Sequence, residues 1–299
     1  MSTPQSHPLR AALWMAGSIT GFSAMAVAGR KLTGQFDTFE ILAYRSFFGL
    51  VVVLGVATAQ GRLAECRPRA LPLHLGRNLG HFFAQNLWLY ALPLIPLAQL
   101  FALEFSYPIL VGLGATLFLG ERMTPLRALT SLMGFAGILL VARPFGASGF
   151  SAGLLAATAC AFGFAASALF TKKLTLTAHV SILSIMFWMT FMQLWMGIAC
   201  ALADGSARLL TPAALPWAVL IALAGLGAHF CLSNALSLAP ASVVTPMDFL
   251  RLPLIGVIGM VFYGEAPDPA VFLGAAVILA AIYLNIRGES RAARARAAT

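Results

Sequence analysis

Full charges stand inside apolar runs at four places in this chain: Arg45, Glu104, Asp248 and Arg251. A charge at the centre of a lipid-embedded helix costs roughly 2.5–3.5 kcal/mol on insertion scales. Residues that carry such a cost face a bundle interior or a wet cavity. Asp248 and Arg251 are three positions apart and share a helical face. Glu104-Phe105 recurs as Asp248-Phe249 at an offset of 144, which puts Tyr107 in register with Arg251. Two roles follow. As neutralised pairs, these groups fix helix packing. If a pair opens, Arg251 offers a planar fork to a substrate carboxylate, and a freed carboxylate attracts an amine or carries a proton.

A second polar set lies between positions 78 and 86. Asn78, His81, Gln85 and, one turn around, Asn86 recur at helical spacing, so much of the polarity shares one face. Turned to lipid, that face would be costly; it belongs against a cavity or a helix interface. His81 titrates near neutral pH when unperturbed and is a candidate proton site, or else a histidine hydrogen-bonded into the bundle. His229 stands at the repeat position of Gln85. Aromatics cluster at Phe82, Phe83, Trp88, Tyr90, Phe101, Phe105 and Tyr107, and again at Phe187, Trp188, Phe191 and Trp195. Most read as lipid-facing bulk and interfacial anchors; those facing a cavity would suit flat apolar groups.

The elements that hold these residues must be membrane helices. Of 299 residues, 60% are hydrophobic and 10% charged. Soluble domains run at roughly 45–50% apolar and about 25% charged, so a soluble globular enzyme is excluded. Apolar runs long enough to span fall at 11–29, 39–59, 77–93, 97–119, 125–142, 152–171, 181–203, 215–236, 241–263 and 268–286. Arg10, an apolar run and Ala26-Val27-Ala28 imitate a signal peptide, but the run exceeds a usual signal core and reads as the first span. The four cysteines are widely spaced, without a Cys-x-x-Cys, and indicate neither a disulfide framework nor a metal site.

With both termini on one side, that side collects 13 Lys and Arg and the other collects 4. The positive-inside rule then places both termini in the cytoplasm. The net charge of +9 reports this orientation, and no nucleic-acid partner is expected. The chain also repeats. Leu119-Gly120-Glu121 recurs as Tyr263-Gly264-Glu265, and Pro96, Pro125 and Arg143 recur as Pro240, Pro269 and Arg287, all at an offset of 144. Near the start, Lys31-Leu32-Thr33 recurs as Lys173-Leu174-Thr175 at an offset of 142. Each half holds five spans, an odd number, so the second copy enters the membrane from the opposite side. Inverted repeats of this kind are a signature of secondary transporters. The halves are taken as 1–147 and 148–299.

Each Gly-Glu pair closes a helical hairpin: Gly120 and Gly264 supply left-handed caps, and Thr124 and Asp268 cap the next helix ahead of Pro125 and Pro269. Glu121 and Glu265 read as capping and turn-stabilising groups. Inversion sets Glu104 on the outer side of the midplane and Asp248 on the cytoplasmic side. Arg45 reaches a depth similar to Glu104, which makes a Glu104–Arg45 pair the expectation. Spans four and nine combine carboxylates with Pro108, Pro246 and Pro253 and read as the moving gate elements.

This layout resembles the drug/metabolite transporter superfamily, and within it the EamA-type exporters. The residues that carry the resemblance are Ser106-Tyr107-Pro108 through Leu119-Gly120-Glu121, then Gly134-Phe135-Ala136-Gly137-Ile138, with Arg45 near the start of span two. It covers nearly the whole chain. In size and layout the chain is similar to the aromatic amino-acid exporters of the YddG type. The second half departs at Pro253, one residue off the equivalent of Pro108. The resemblance implies export of amino acids, other metabolites or drugs, with no cofactor.

Rival classes find little support. Gly146-Ala147-Ser148-Gly149 matches a rhomboid-type Gly-x-Ser-Gly, but it falls in an outer loop. No His-Glu-x-x-His, Asp-rich magnesium motif or phosphate-binding Gly-rich loop is present. A channel remains a second class. The expectation is an all-α integral membrane protein of ten helices in two inverted five-helix repeats, a non-enzymatic carrier in the cell inner membrane. It exports small metabolites, with aromatic and other neutral amino acids first, by alternating access. Its partners are that small-molecule substrate and the lipid bilayer, and a monomer suffices to contain the pathway. His81, Gln85, Glu104, Tyr107, His229, Asp248, Arg251 and Arg45 are the expected cavity-lining residues.

Overall fold

The computed structural model describes residues 8–119, 125–142, 151–176, 178–203, 205, 207–238, 247–248 and 250–297. The turn residues Gly120, Glu121 and Thr124, the 146–149 motif, Arg143, Pro240 and Pro246 lie outside them. Eleven α-helices are described: α1 Pro8–Leu32, α2 Thr38–Ala59, α3 Leu71–Ala91, α4 Leu97–Glu104, α5 Tyr107–Leu119, α6 Pro125–Ala142, α7 Ala152–Leu176, α8 Ile182–Ala203, α9 Leu215–Leu238, α10 Arg251–Tyr263 and α11 Pro269–Ala297. No strand occurs among the described residues. Five helices (α1, α2, α7, α8, α9) carry apolar stretches of 21–24 residues, enough to cross a membrane singly. The helices α4 and α5 are two pieces of one span. With α3, α6, α10 and α11 the described helices make up ten spans, in the two-repeat arrangement.

Local signals set the helix ends. Asp37 and Glu40 form a capping box at α2: Asp37 Oδ1 accepts from Phe39 N–H (2.7 Å) and Glu40 N–H (2.9 Å), and Glu40 Oε2 accepts from Asp37 N–H (2.9 Å). The helix α3 begins at Leu71 with Pro72 in its first turn, six residues before the expected start. That early start carries Arg77 inside the helix. Between α10 and α11, Gly264 adopts φ +64°, and Asp268 accepts from Ala270 N–H at 2.9 Å. Both turn groups therefore act as their types require.

The helices form two compact units. One comprises Met1–Ala24, Pro96–Ser151 and Ala224–Thr299; the other comprises Met25–Ile95 and Ala152–Leu223. In the first, α6 packs along α11 through Gly137 and Gly274. A Cβ on either would come within 2.8 Å of the other's carbonyl oxygen. In the second, α3 packs along α7, where a Cβ on Gly163 would meet Gly80 O at 2.8 Å. With lipid tails as apolar as leucine, such close approach supplies the packing that holds membrane helices together.

Burial is reversed relative to a soluble protein. Phe262, Leu132 and Phe162 are exposed, whereas Arg45, Arg77, Asn78, His81, Gln85, Gln193 and Arg251 are buried. Apolar surface faces the hydrocarbon, and polar groups face inward. The aromatics divide: Phe83, Tyr90 and Trp195 are outside, but Phe82, Trp88, Phe101 and Phe105 are core.

Candidate substrate site

The first unit builds its site where two spans break. The helix α4 ends at Glu104. Phe105 N–H donates to Phe101 O (2.9 Å) and Ser106 N–H to Leu103 O (3.1 Å), and the Ser106 hydroxyl also donates to Leu103 O. The chain resumes as α5 at Tyr107. Pro108 in its first turn has no N–H, so the Glu104 carbonyl loses its helical donor. The second repeat breaks at the same register. Met247 and Asp248 are helical, Leu250 is a turn, and α10 starts at Arg251 with Pro253 in its first turn. The pieces α5 and α10 begin and end at equivalent positions, 107/251 and 119/263. The one-residue displacement of the prolines is absorbed because both fall within a first turn, where no interior hydrogen bond is lost.

Arg251 fills this break and is 4% exposed. Its Nη2 donates to Asp248 Oδ2 at 3.3 Å and to Glu104 Oε1 at 3.4 Å. These bonds are long beside the roughly 2.7–2.9 Å of tight charge-assisted pairs. Three rings surround the guanidinium, with centroids 4.7 Å (Phe105), 4.8 Å (Phe22) and 5.1 Å (Phe101) from its carbon. All lie within the range of cation–π attraction. Tyr107 is within charge reach of all three ionic groups. His229 meets the edge of Phe22, with ring centroids 5.0 Å apart. Asp248 Oδ1 and Arg251 Nε are buried without a hydrogen-bond partner. Two carboxylates share one guanidinium.

This arrangement corrects the expected pairing. Glu104 pairs with Arg251, and Arg45 belongs to the other unit. The reason is the break: ending α4 at Glu104 aims its side chain at the start of α10. Arg251 itself is held by two carboxylates and three rings.

Glu265 does more than close its hairpin. Its Oε2 accepts from Leu97 N–H, the first residue of α4, at 2.9 Å. A carboxylate there satisfies an orphan donor and sits favourably at the positive end of the helix dipole. The segment bearing Glu104 is thereby tied to the turn that follows α10.

The second unit holds the polar face of α3. Gln193 of α8 donates from Nε2 to Asn78 Oδ1 (3.3 Å) and lies 3.0 Å from His81 Nδ1. Asn78 Nδ2 donates to His74 O (2.9 Å), and Arg77 Nη1 donates to Asn78 Oδ1 (3.1 Å). Gln85 is buried on the same helix. Arg45 of α2 and Arg77 of α3 are both buried, and Arg45's charge is felt at Arg77. Arg77 was missed by sequence reasoning, which counts it among the cytoplasmic loop charges. The signal that could have found it is Pro72, a helix-start residue five positions upstream.

Helices broken at matching positions in two repeats, with charged groups at the break, define a class: membrane carriers built on internal repeats. The EamA-like transporter family matches the chain twice, over residues 9–143 and 151–287, and the chain belongs to that family. A riboflavin transporter of Rhizobium johnstonii is 31% identical over 98% of this chain and 96% of its own length. An S-adenosylmethionine uptake transporter of Rickettsia bellii is 27% identical, over 93% of this chain and 94% of its own. The pseudopaline exporter CntI of Pseudomonas aeruginosa is 25% identical, over 87% and 90%. A solved protein crystal structure superposes with a TM-score of 0.62 at 21% identity, covering 92% of this chain and 96% of that one, a likeness of fold. The family and these relatives indicate a multi-pass membrane transporter and not an enzyme.

Proposed function

We propose that the protein is a secondary carrier of the bacterial inner membrane for small metabolites with a flat ring system, riboflavin being the first candidate. The observation that carries this reading is the cage at the break: Phe22, Phe101 and Phe105 around Arg251, with Glu104 and Asp248 beside it. Flat rings stack on aromatic and guanidinium faces, and the carboxylates can accept from a solute's N–H and O–H groups. The riboflavin-named relative, similar over 98% of this chain, supports the ring system. Aromatic amino acids share the flat ring and remain the second candidate.

In this reading His81, Gln85, Glu104, Tyr107, His229, Asp248, Arg251 and Arg45 line the path. The repeats 1–147 and 148–299 alternate access about it, and both termini lie in the cytoplasm. Outward movement is the family expectation; the relatives carry names of both senses, uptake and export.

Proteoliposomes of purified protein test this with radiolabelled riboflavin, S-adenosylmethionine, Trp, Phe and Leu, loaded inside or outside. Saturable riboflavin flux, competed by unlabelled riboflavin and lost in Phe105→Ala and Arg251→Ala, is expected. Flux of Trp or Phe without riboflavin flux would move the substrate to amino acids. No flux of a ring-bearing solute by folded protein would overturn the reading.

A further inference from the structure

The membrane interior of the second unit is rich in donors and poor in acceptors. Arg45 is 6% exposed and Arg77 7%, both well inside spanning helices. Arg45 Nη1 and Arg77 Nε are buried without a hydrogen-bond partner, as are both ring nitrogens of His74 and the indole Nε1 of Trp188. His74 and Arg77 are neighbours on one turn of α3. Phe39 of α2 stacks on Phe82 of α3, with ring centroids 6.1 Å apart, and because consecutive spans run antiparallel this register sets Arg45 level with Arg77, whose environment its charge reaches. The Trp188 ring of α8 lies 5.9 Å from that of His74. All five unpaired atoms are nitrogens, and at least four of them are donors. The unpaired oxygen of α3, Asn86 Oδ1, lies about two and a half turns beyond Arg77.

No carboxylate answers these charges among the described residues of this unit. Asp37 caps α2. Glu40 completes that cap and accepts from Arg208 N–H. Glu65 is bonded to Arg62 and Ser181. Arg77 Nη1 donates to Asn78 on its own helix, the charge of Arg45 on α2 reaches it, and Asn78 is met in turn by Gln193 Nε2 and the Trp188 carbonyl oxygen from α8. One amide oxygen, Asn78 Oδ1, serves both Arg77 and Gln193. An arginine cannot shed its proton to escape burial, and two like charges in a low-dielectric interior repel strongly. Buried charges of this kind are paired or bind a counter-ion.

We propose that Arg45 and Arg77, with His74 and Trp188, form a binding site for a small oxyanion, a carboxylate or a phosphate group. The planar fork of each guanidinium matches two oxygens of such a group. The proposal does not depend on which solute the ring-binding cage takes. An oxyanion of a passing solute, free phosphate and the phosphodiester of an anionic lipid share the required chemistry.

The test reads binding, not transport. Purified protein in neutral detergent is melted in chloride, sulfate and phosphate at equal ionic strength and pH, and again in nanodiscs of phosphatidylcholine with and without phosphatidylglycerol. Wild type should melt higher, saturably, in phosphate or sulfate. Arg45→Gln and Arg77→Gln should each weaken the half-saturating concentration about tenfold or more. Both variants should melt no lower than wild type in chloride, because each removes an unpaired buried charge. That sign separates an oxyanion site from a merely structural role, in which loss of either arginine lowers the melting point in every salt. A response to phosphatidylglycerol alone supports the site and makes its occupant a lipid headgroup. Equal melting in all salts and lipids, or an anion response that survives either substitution, overturns it.

Discussion

Replacing Arg251 by Met keeps the length of the side chain and removes its charge. The ledger of that change can be read from the cage. Glu104 and Asp248 lose their shared donor while their side chains stay 12% and 15% exposed. Breaking a buried pair from one side costs about 3–5 kcal/mol, because the abandoned charge stays buried. Three cation–π contacts go as well, each worth roughly 0.5–2 kcal/mol. A methionine sulfur against the same rings returns about 0.3–1.5 kcal/mol per contact. The rings thus contribute little to the difference, and the carboxylates set it. Arg251→Met should therefore lose about 3–5 kcal/mol in reversible unfolding from mixed micelles at neutral pH. The triple change Glu104→Gln, Asp248→Asn, Arg251→Met removes all three charges and should return to within about 1–2 kcal/mol of wild type, since uncharged replacements of buried ionic groups are often neutral. A single mutant as stable as wild type, or a triple mutant as unstable as the single, would refute the claim that charge balance holds this break together.

Three further outcomes are expected. Glu265→Ala should cost about 0.5–2 kcal/mol by uncapping α4, and Gly259→Ala should copy it, because the new Cβ would press on Glu265 Oε2. Alanine in place of an unobstructed helical glycine stabilises by roughly 0.5–1 kcal/mol, so a loss at 259 in thermal melts diagnoses the displaced carboxylate. Gln193→Leu removes one hydrogen bond at Asn78 and one at His81 and should cost about 1–3 kcal/mol in the same unfolding assay; an unchanged stability would refute it. The Arg62 hydrogen bond, helped by Ser181, holds the Glu65 carboxyl below its ordinary 4.5. A depressed carboxylate stabilises fully above the unfolded value and loses that contribution as pH falls through the folded one. Glu65→Gln should lower the melting temperature slightly at neutral pH, and its difference from wild type should vanish as pH falls below about 4.5.

Much of this architecture is legible in the residues because lipid leaves so few choices. Apolar run length fixes the spans, and Gly264 with Asp268 and Pro269 fixes a hairpin end. Glu104 and Asp248 announce themselves by their cost in hydrocarbon. The pairing is less legible. Depth along a helix suggests Arg45 for Glu104, but depth says nothing of rotation or of which helices are neighbours. Pro108 and Pro253 signal a disturbance; whether the chain kinks or stops and restarts depends on the turn at Phe105-Ser106, whose hydrogen bonds are a tertiary outcome. Arg77 was hidden for a different reason. A charge at the edge of an apolar run looks like a loop charge, and only the longer α3 takes it inside.

The repeats share a backbone plan but not a charge plan. Glu104 and Asp248 are equivalent positions, yet Tyr107 stands opposite Arg251, so only the second copy supplies the guanidinium. Arg45 finds Phe187 or Met189 at the two repeat offsets, and Arg77 finds Val219 or Ile221. One unit thus carries two carboxylates around one guanidinium; the other carries two guanidiniums without a described carboxylate to answer them. Duplication accounts for the breaks, hairpins and glycine contacts, which recur because both copies must satisfy their backbone in the same solvent. The uneven charges cannot come from that constraint, since each costs free energy in lipid and one copy manages without its partner's. Under the function proposed above, the positions where the repeats disagree are the ones whose substitution should change the solute carried and not merely the stability of the carrier.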